Sequence, residues 1–470
     1  MIINNIEDGS LPDYLIIGGG PAGITLATQL ASKDKNILLI EAGGLEFDEK
    51  VQSHYKGEVV GDKYYDLDVT RLRYLGGSSN HWGGNCAPLD EYDLKNWPIS
   101  YNELKNFEID AKKILNIKNE FIKYEKSIFN SFDLSSIEDG YVNFKDKYLD
   151  QIKDSKNINL LLNSSVLSFQ PDKTGSRVEY LNIIVNENLK KIKLSSHNKV
   201  ILACGGIENS RILLWSRELY KGNFLEGLPI GKYWMEHPSG EIGHFISEKN
   251  KVESVFKKKN YFLVPSKKFL ENEKLNNVRF SIQFWEKTGN ETFKHFVKDL
   301  VCIAPHFGKK IIESLSNNVV HCLSAIKFSI EQKPNIENSV NLSKSSLDKY
   351  DIPRIQLKWN IKDDVFFSLK KSLEKLGQES IEKNIGRVGV DRFVYDQSFK
   401  NSKDIFANHH HMGGTIMSKG RDGVVDQDLK VKNVSNLYVI GSSVFPSGGH
   451  FNPTFTIIQL TLRLAKHLTT

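Results

Sequence analysis

The chain has 470 residues, 40% of them hydrophobic, which is enough for a large buried core and for two or three domains. Its 63 basic and 57 acidic residues are interleaved and give a formal net charge of +6. This distribution argues against the concentrated basic patch of a nucleic-acid-binding protein, and no apolar run is long enough to span a bilayer.

The N-terminus and the cysteines predict the compartment. Residues 1–10 contain neither a basic region nor an apolar segment of signal-peptide length. The four cysteines, Cys86, Cys204, Cys302 and Cys322, include no Cys-x-x-Cys pair and lie in apolar or glycine-rich stretches. Reduced thiols are the expectation for such cysteines, so we expect a cytoplasmic protein.

A glycine motif follows the first apolar strand. The strand leads into Gly18-x-Gly20-x-x-Gly23, and a helix is predicted over residues 24–31. The first glycine permits a tight turn, the second lets the backbone approach a pyrophosphate, and the third lets helix and strand pack closely. The helix N-terminus then offers unpaired N–H groups to phosphates.

A second apolar strand ends in Glu41, which lies 23 residues after Gly18. A carboxylate at this distance can accept hydrogen bonds from an adenosine ribose. Strand, helix, strand and acid together indicate a unit that binds NAD or FAD. The position of the unit at the N-terminus and the Gly43-Gly44 pair after the acid favour FAD.

The segment from Arg71 to Gly84 is a glycine-rich loop that encloses His81 and Trp82. Four glycines around a polar centre cannot pack through side chains, so the loop is predicted to wrap a cofactor. An irregular surface loop is the alternative.

Further strands extend the same domain. A strand and turn are predicted over residues 157–169, and the apolar run at 199–202 ends in glycines before a helix over 208–217. This second strand–glycine–helix unit fits the same doubly wound sheet.

The pattern changes between about residues 245 and 400. Residues 278–284 and 355–361 alternate with period two, as half-buried antiparallel strands do, and an amphipathic helix is predicted over 363–376. Glycine-rich loops and apolar strands return after residue 405. We therefore predict an α/β protein with a Rossmann-like FAD-binding domain (1–245 and 400–470) and a second α+β substrate domain on an antiparallel sheet (246–399).

A terminal helix begins near Asn452 and Pro453. Asn452 is predicted to cap it and Pro453 to occupy its first position. Glycines and a histidine precede the cap, which indicates that a ligand approaches this positive helix end, as a reduced, anionic flavin would. A capped terminal helix without a ligand is the plainer interpretation.

Three histidines, His409, His410 and His411, stand before a Gly-Gly turn. Consecutive histidines project in different directions, and no further cluster completes a coordination shell, so no metal site is predicted. A base beside a glycine-walled cavity is the better interpretation, because imidazole titrates near neutral pH.

Together these segments resemble the glucose–methanol–choline oxidoreductase family over almost the whole chain, most loosely in the middle domain. Besides the N-terminal fingerprint, the resemblance rests on these motifs: Gly76-Gly-Ser-Ser-Asn-His-Trp, Trp97-Pro-Ile-Ser, Ala203-Cys-Gly-Gly-Ile-Glu-Asn-Ser-Arg-Ile-Leu-Leu, Gly231-Lys-Tyr-Trp-Met-Glu-His-Pro, Glu331-Gln-Lys-Pro-Asn-Ile-Glu-Asn-Ser-Val-Asn-Leu, His411-Met-Gly-Gly-Thr and Asn452-Pro-Thr.

The resemblance implies an enzyme that binds FAD and oxidises the CH–OH group of an alcohol, polyol or sugar. It implies His411 as the catalytic histidine and Asn452 as its partner at the substrate oxygen, while His410 and His450 are candidates for substrate or supporting contacts. The Asn-Pro-Thr motif is similar to the corresponding motif in the family branch that contains the pyranose oxidases. In that branch a histidine at the place of His81 can be joined covalently to the flavin.

The cofactor-binding residues that we predict are Gly18, Gly20, Gly23, Glu41, Gly76, Ser79, Asn80, His81, Val166, Gly205, Ser442, Asn452, Pro453 and Thr454. The substrate is expected to be a small molecule. No motif identifies the electron acceptor, so oxygen, a quinone and a partner protein stay open. Two other classes also stay open: a redox-silent enzyme such as a lyase on the same FAD fold, and an NAD-linked dehydrogenase or a binding module without chemistry.

Overall fold

The computed structural model describes residues 1–6, 11–246, 261–284, 324–395 and 405–470. In these residues the helices are α1 (Pro21–Ala31), α2 (Glu49–Gln52), α3 (Tyr101–Lys105), α4 (Glu108–Ile114), α5 (Phe144–Asp154), α6 (Gly205–Leu219), α7 (Lys267–Glu273), α8 (Asp363–Glu382) and α9 (Thr454–Thr469). Short 3₁₀ helices cover Ser53–Tyr55, Gly77–Asn80, Arg392–Val394 and Ser442–Val444.

The strands of the described residues are β1 (Ile2–Ile3), β2 (Tyr14–Ile17), β3 (Ile37–Ile40), β4 (Gly57–Gly61), β5 (Asn85–Cys86), β6 (Glu125–Lys126), β7 (Phe132–Ser136), β8 (Glu138–Asp139), β9 (Ile158–Leu161), β10 (Ser164–Pro171), β11 (Val178–Val185), β12 (Asn188–Lys193), β13 (Lys199–Leu202), β14 (Pro238–Ile246), β15 (Tyr261–Pro265), β16 (Val278–Phe284), β17 (Ser324–Ile330), β18 (Ser339–Leu347), β19 (Pro353–Trp359), β20 (Arg387–Val390), β21 (Ile405–Ala407) and β22 (Leu437–Val439).

A six-stranded parallel sheet forms the first layer, in the order β1-β9-β3-β2-β13-β22. Its central strands are almost entirely apolar, as strands buried on both faces must be. The register places Ile17, Ile40 and Leu202 side by side at the carboxyl edge. From β2 the chain adds β3 on one side and β13 on the other, and ligands of such sheets bind outside the carboxyl ends at this switch point.

Helix α1 starts directly beyond this edge because the glycines allow it. Gly18 has a φ of +110°, and a Cβ there would lie 2.5 Å from the carbonyl oxygen of Ala203 at the end of β13. A Cβ on Gly23 would lie 1.9 Å from the carbonyl oxygen of Gly18. The N-terminus of α1, with Pro21 in its first turn, is thereby held against the end of the sheet.

A second sheet of eight antiparallel strands has the order β20-β14-β17-β16-β15-β7-β6, with β21 beside β14. Its hydrophobic core includes Phe280, Ile326 and Trp359 and is covered by the apolar face of α8. The parallel and antiparallel sheets confirm the predicted fold class. Strands β6, β7 and β21, which lie outside residues 246–399, also join the antiparallel sheet, and the domain boundaries stay a prediction.

Two details of the terminal helix differ from the sequence prediction. Helix α9 begins at Thr454, and the amide of Ile457 donates to the carbonyl oxygen of Pro453, so Pro453 occupies the cap position. The predicted cap by Asn452 is wrong, because its side chain is bound to Arg279 and Asn85 instead of the helix amides.

In the described part of the chain, no helix is long and apolar enough to cross a membrane. Cys86 and Cys204 are free thiols, and Cys302 and Cys322 lie outside the described residues.

We expect Gly23→Ala to destabilise the protein. The added methyl meets the backbone of Gly18, which cannot move without disturbing β2, and such overpacking costs about 1–3 kcal/mol. The matched control is Gly20→Ser, because a Cβ on Gly20 meets nothing within 4 Å and serine suits the cap position of α1. Urea unfolding of both variants checks this, and equal losses of stability would contradict it.

Candidate active site

A cavity of about 640 Å³ lies between the carboxyl edge of the parallel sheet and the face of the antiparallel sheet. Gly18, Gly20 and Glu41 line it from the first strand–helix–strand unit, and Arg279 on β16 lines it from the opposite side. The cavity therefore sits where ligands of doubly wound sheets bind.

Three glycines leave room for a ligand to approach the protein backbone closely at the cavity wall. Gly20, Gly205 and Gly441 follow the neighbouring strands β2, β13 and β22, and a Cβ on any of them meets no atom within 4 Å. All three line the cavity. The space beside the N-terminus of α1 thus fits a phosphate-containing dinucleotide, which needs close backbone approach and unpaired amides.

Glu41 lies at the same end, with its two oxygens engaged by backbone amides. Gly19 N–H donates to Oε2 at 2.7 Å and Gly43 N–H to Oε1 at 2.9 Å. Burial raises the pKa of this carboxyl, while these bonds and the charge of Arg73 oppose the rise. Each carboxylate oxygen has a second lone pair, so Glu41 retains acceptor capacity for a ribose hydroxyl. Nε of Arg73 is buried without a partner and adds a free donor.

The structure brings most of the predicted site residues together. Those that line the cavity are Gly18, Gly20, Glu41, Ser79, His81, Val166, Gly205, His411, Ser442, Asn452, Pro453 and Thr454. His410, the candidate for a substrate or supporting contact, lines it too.

Three predicted residues support the cavity wall without lining it. Gly23 packs against Gly18, and Gly76 donates its amide to the carbonyl oxygen of Gly19. Asn80 closes its own loop by donating Nδ2 to two backbone carbonyls at 3.0 Å. His450 is fully buried and neither ring nitrogen has a hydrogen-bond partner.

His411 is oriented by a chain of two further side chains. Its Nε2 lies 3.0 Å from Oη of Tyr64, which donates to Oε2 of Glu236 at 2.7 Å. While Glu236 is ionised, Tyr64 uses its proton there, so Nε2 of His411 must donate and Nδ1 carries the lone pair. Burial lowers the pKa of His411 well below its usual value, and the charge of Arg71 adds to this. The ring is therefore neutral at neutral pH and able to accept a proton.

His410 is oriented by a separate chain. Nε2 of His237 lies 2.9 Å from the carbonyl oxygen of Gly449, which can only accept, so this nitrogen carries the proton. Burial lowers the pKa of His237 to about 3, and its neutral ring leaves Nδ1 as an acceptor, 2.8 Å from Nδ1 of His410. His410 consequently donates through Nδ1, and its Nε2 is left unprotonated. His410 therefore has a defined tautomer, and His411 has one while Glu236 is ionised.

Asn452 joins the two sides of the cavity. Its Oδ1 accepts from Nη2 of Arg279 at 3.0 Å, and its Nδ2 donates to the carbonyl oxygen of Asn85 at 3.0 Å. One amide hydrogen remains for a ligand oxygen.

Sequence reasoning missed four of these residues: Tyr64, Glu236, His237 and Arg279. Glu236 and His237 lie in the motif that begins at Gly231, but only the fold shows that both contact His410 and that Glu236 reaches His411 through Tyr64. A polar position in the alternating strand 278–284 was the available signal for Arg279. Nothing local distinguishes Tyr64. Among the described residues, no cluster of three potential metal ligands is present.

The family model described as GMC oxidoreductase matches residues 334–461, a segment that includes His411 and Asn452. Mala s 12, a GMC oxidoreductase family protein of Malassezia sympodialis, is 22% identical over 93% of this chain and 89% of its own length. Residues 334–461 therefore match the GMC oxidoreductase family model, and the predicted resemblance to the glucose–methanol–choline family is confirmed.

Other similarities are more distant or shorter. The fructose dehydrogenase large subunit of Gluconobacter japonicus is 30% identical over 159 residues, which cover 34% of this chain and 27% of that subunit. Pyridoxine 4-oxidase from Mesorbium loti has a TM-score of 0.62 at 15% identity, covering 97% of this chain and 99% of that chain. A formate oxidase variant from Aspergillus oryzae RIB40 has a TM-score of 0.60 at 15% identity, covering 98% of each chain. These two structures share the fold.

The buried Glu236 carboxyl is expected to make stability depend on pH. Burial raises its pKa from 4.5 to about 7, so the folded protein keeps a proton that the unfolded chain releases. Its contribution to stability is full below pH 4.5 and is lost as the pH rises to about 7. The melting temperature of wild type should therefore fall relative to that of Glu236→Gln across this window. Parallel melting curves for the two proteins would contradict the assignment.

Proposed function

We propose that this chain is an FAD-dependent oxidoreductase that oxidises the CH–OH group of a small alcohol, polyol or sugar. The observation that carries the proposal is the meeting of two features in one cavity. The glycines after three parallel strands leave room for a dinucleotide, and two neutral, oriented histidines line the same space.

The FAD would lie along the first strand–helix–strand unit. Gly18, Gly20 and the N-terminus of α1 would hold the pyrophosphate, and Glu41 would accept from the ribose. Pro453 and Thr454 place the start of α9 at the cavity, where its amides would face the flavin ring. When bound, FAD supplies N5 as the hydride acceptor for the carbinol carbon.

The chain's own residues would bind the substrate hydroxyl and take its proton. We assign the base to His411, whose neutral ring lies on the cavity wall, and the oxygen contact to the free amide hydrogen of Asn452. Tyr64 and Glu236 hold the imidazole in one orientation. A base that is neutral near the working pH and fixed by hydrogen bonds is what proton abstraction from an alcohol requires.

His410 is the competing base. Its tautomer leaves Nε2 as an acceptor, and its ring also lines the cavity. A comparison of His410 and His411 variants is therefore needed to identify the histidine that removes the proton.

The redox-silent lyase is the second function kept open, because the same residues would bind FAD in either case. The family domain over residues 334–461 favours the oxidoreductase. Sugars are included among the proposed substrates because the Asn-Pro-Thr motif at residues 452–454 is similar to that of pyranose oxidases.

The direct experiment is the visible spectrum of the purified protein, followed by anaerobic titration with sugars and polyols. We expect a yellow protein whose flavin band bleaches with at least one of these compounds. A yellow protein that no alcohol bleaches would favour the lyase. A colourless protein that binds NAD and never FAD would overturn the proposal.

Replacing the proposed base should slow flavin reduction without loss of cofactor. We expect His411→Ala to lower the rate by about 10²–10⁴, the usual contribution of a positioned general base. His410→Ala is the matched control, with a smaller effect expected. Stopped-flow reduction and FAD content measure both. If His410→Ala has the large effect and His411→Ala the small one, the two roles are exchanged.

A covalent bond between His81 and the flavin is part of the same proposal. His81 lines the cavity directly after the 3₁₀ helix Gly77–Asn80, and partial burial lowers the pKa of its imidazole, which favours the neutral, nucleophilic ring. We expect the acid-denatured protein to carry the mass of one FAD, and His81→Ala to lose it. An unmodified polypeptide with free flavin in the supernatant would contradict the bond.

A further inference from the structure

Arg279 places a buried positive charge on the substrate side of the cavity. It lies on β16, where Val278, Phe280 and Ile282 alternate into the hydrophobic core and Arg279 projects from the opposite face. Arg279 lines the cavity from that face and is only 9% exposed. The position on a sheet strand, packed on one side by the core, fixes the guanidinium more firmly than a loop would.

The guanidinium has fewer partners than it can take. Nη2 donates to Oδ1 of Asn452 at 3.0 Å, whereas Nη1 is buried and makes no hydrogen bond. The rings of Phe262 and Phe451 flank the group at 5.2 and 5.7 Å from its carbon. Guanidinium groups favour planar acceptors that engage two N–H groups at once. In Arg279 the Nη1 side of the guanidinium is unused.

No carboxylate in the described part of the chain balances this charge. Burial lowers the pKa of Arg279 to about 10, and burial is the whole cause of the shift. The group nevertheless stays protonated at neutral pH. Its charge also lowers the pKa of His237, His410 and His450, so the surrounding imidazoles are neutral and supply no counter-charge.

An unpaired buried charge is strongly unfavourable unless a ligand neutralises it. A neutral sugar could be bound by amides and hydroxyls alone, without this cost. We propose that Arg279, beside Asn452, binds the carboxylate of an anionic substrate, so that the compound oxidised is a hydroxy acid. This inference rests on the proposed function for the oxidation itself, and on Arg279 for the charge of the substrate.

The oxidation leaves the carboxylate unchanged. In the proposed oxidation the carbinol carbon would give up a hydride, whose two electrons bound FAD would take. The hydroxyl would give its proton to the histidine base, so that a keto or aldehydo acid would form. Arg279 binds and orients the substrate and exchanges no proton. Its contact with Asn452 brings the carboxylate close to the residue that we assign to the hydroxyl oxygen.

The test measures equilibrium binding to the oxidised holoenzyme at pH 7. Binding is detected through the change that it causes in the flavin absorption spectrum. The probes are matched pairs of anion and neutral analogue: acetate with acetamide, glycolate with ethylene glycol, and gluconate with glucose. We expect at least one carboxylate to bind at least tenfold more tightly than its neutral partner, because a buried ion pair forms only with the anion.

Three variants separate charge from shape. Arg279→Gln should weaken carboxylate binding at least tenfold and leave the neutral analogues unchanged. Arg279→Lys keeps the charge but loses the planar fork, so an intermediate affinity is expected. Asn452→Asp keeps Arg279 but gives it a carboxylate of the chain's own, and should weaken carboxylate binding as much as Arg279→Gln. The two conservative variants keep the test decisive if Arg279→Gln fails to fold.

Equal affinities within every pair in wild type, or carboxylate binding that Arg279→Gln and Asn452→Asp leave intact, would overturn the inference. If neutral sugars bleach the flavin and no carboxylate binds through Arg279, the proposed oxidation stands and the anionic substrate is wrong. If a carboxylate binds through Arg279 but no alcohol or hydroxy acid bleaches the flavin, the anion site stands and the proposed oxidation is wrong.

Discussion

The contact between Gly23 and Gly18 fixes the position of helix α1 against the parallel sheet. Because no Cβ intervenes, the helix starts immediately beyond β2, and its free amides face the space outside the carboxyl ends of the strands. The loops after β13 and β22 open onto the same space through Gly205 and Gly441. The cavity thus exists because glycines, which have no side chain, follow three neighbouring strands.

Electrostatics around the cavity keep its histidines neutral. Burial is the largest cause of the lowered pKa values of His237, His410 and His411, and the charges of Arg71 or Arg279 add to it. Neutral imidazoles are proton acceptors, whereas protonated ones are not. Positive charge beside these histidines therefore does two things: it keeps the imidazoles neutral, and it favours negative charge in whatever binds next to them.

The two sheets contribute different parts of this arrangement. The parallel sheet supplies backbone: turns, open glycines and helix ends, which suit a cofactor recognised by its phosphates. The antiparallel sheet supplies Arg279 from a strand whose other face is anchored in the core. A side chain fixed in this way can discriminate between substrates, because its position changes little when the ligand changes.

The sequence by itself determined the glycine turn, the apolar strands and the fold class, and most of the site residues that it predicted line the cavity. These follow from local requirements: a positive φ at Gly18, close packing at Gly23, and alternation along residues 278–284. The cap assigned to Asn452 failed because a distant guanidinium competed for the same side chain.

Only the tertiary structure decided the partners of the histidines. Tyr64, Glu236 and His411 are far apart in the chain, and their hydrogen bonds form because strands and loops from three segments meet at the cavity. Tautomer, protonation state and unpaired charge depend on those contacts, so no local pattern of residues could have specified them.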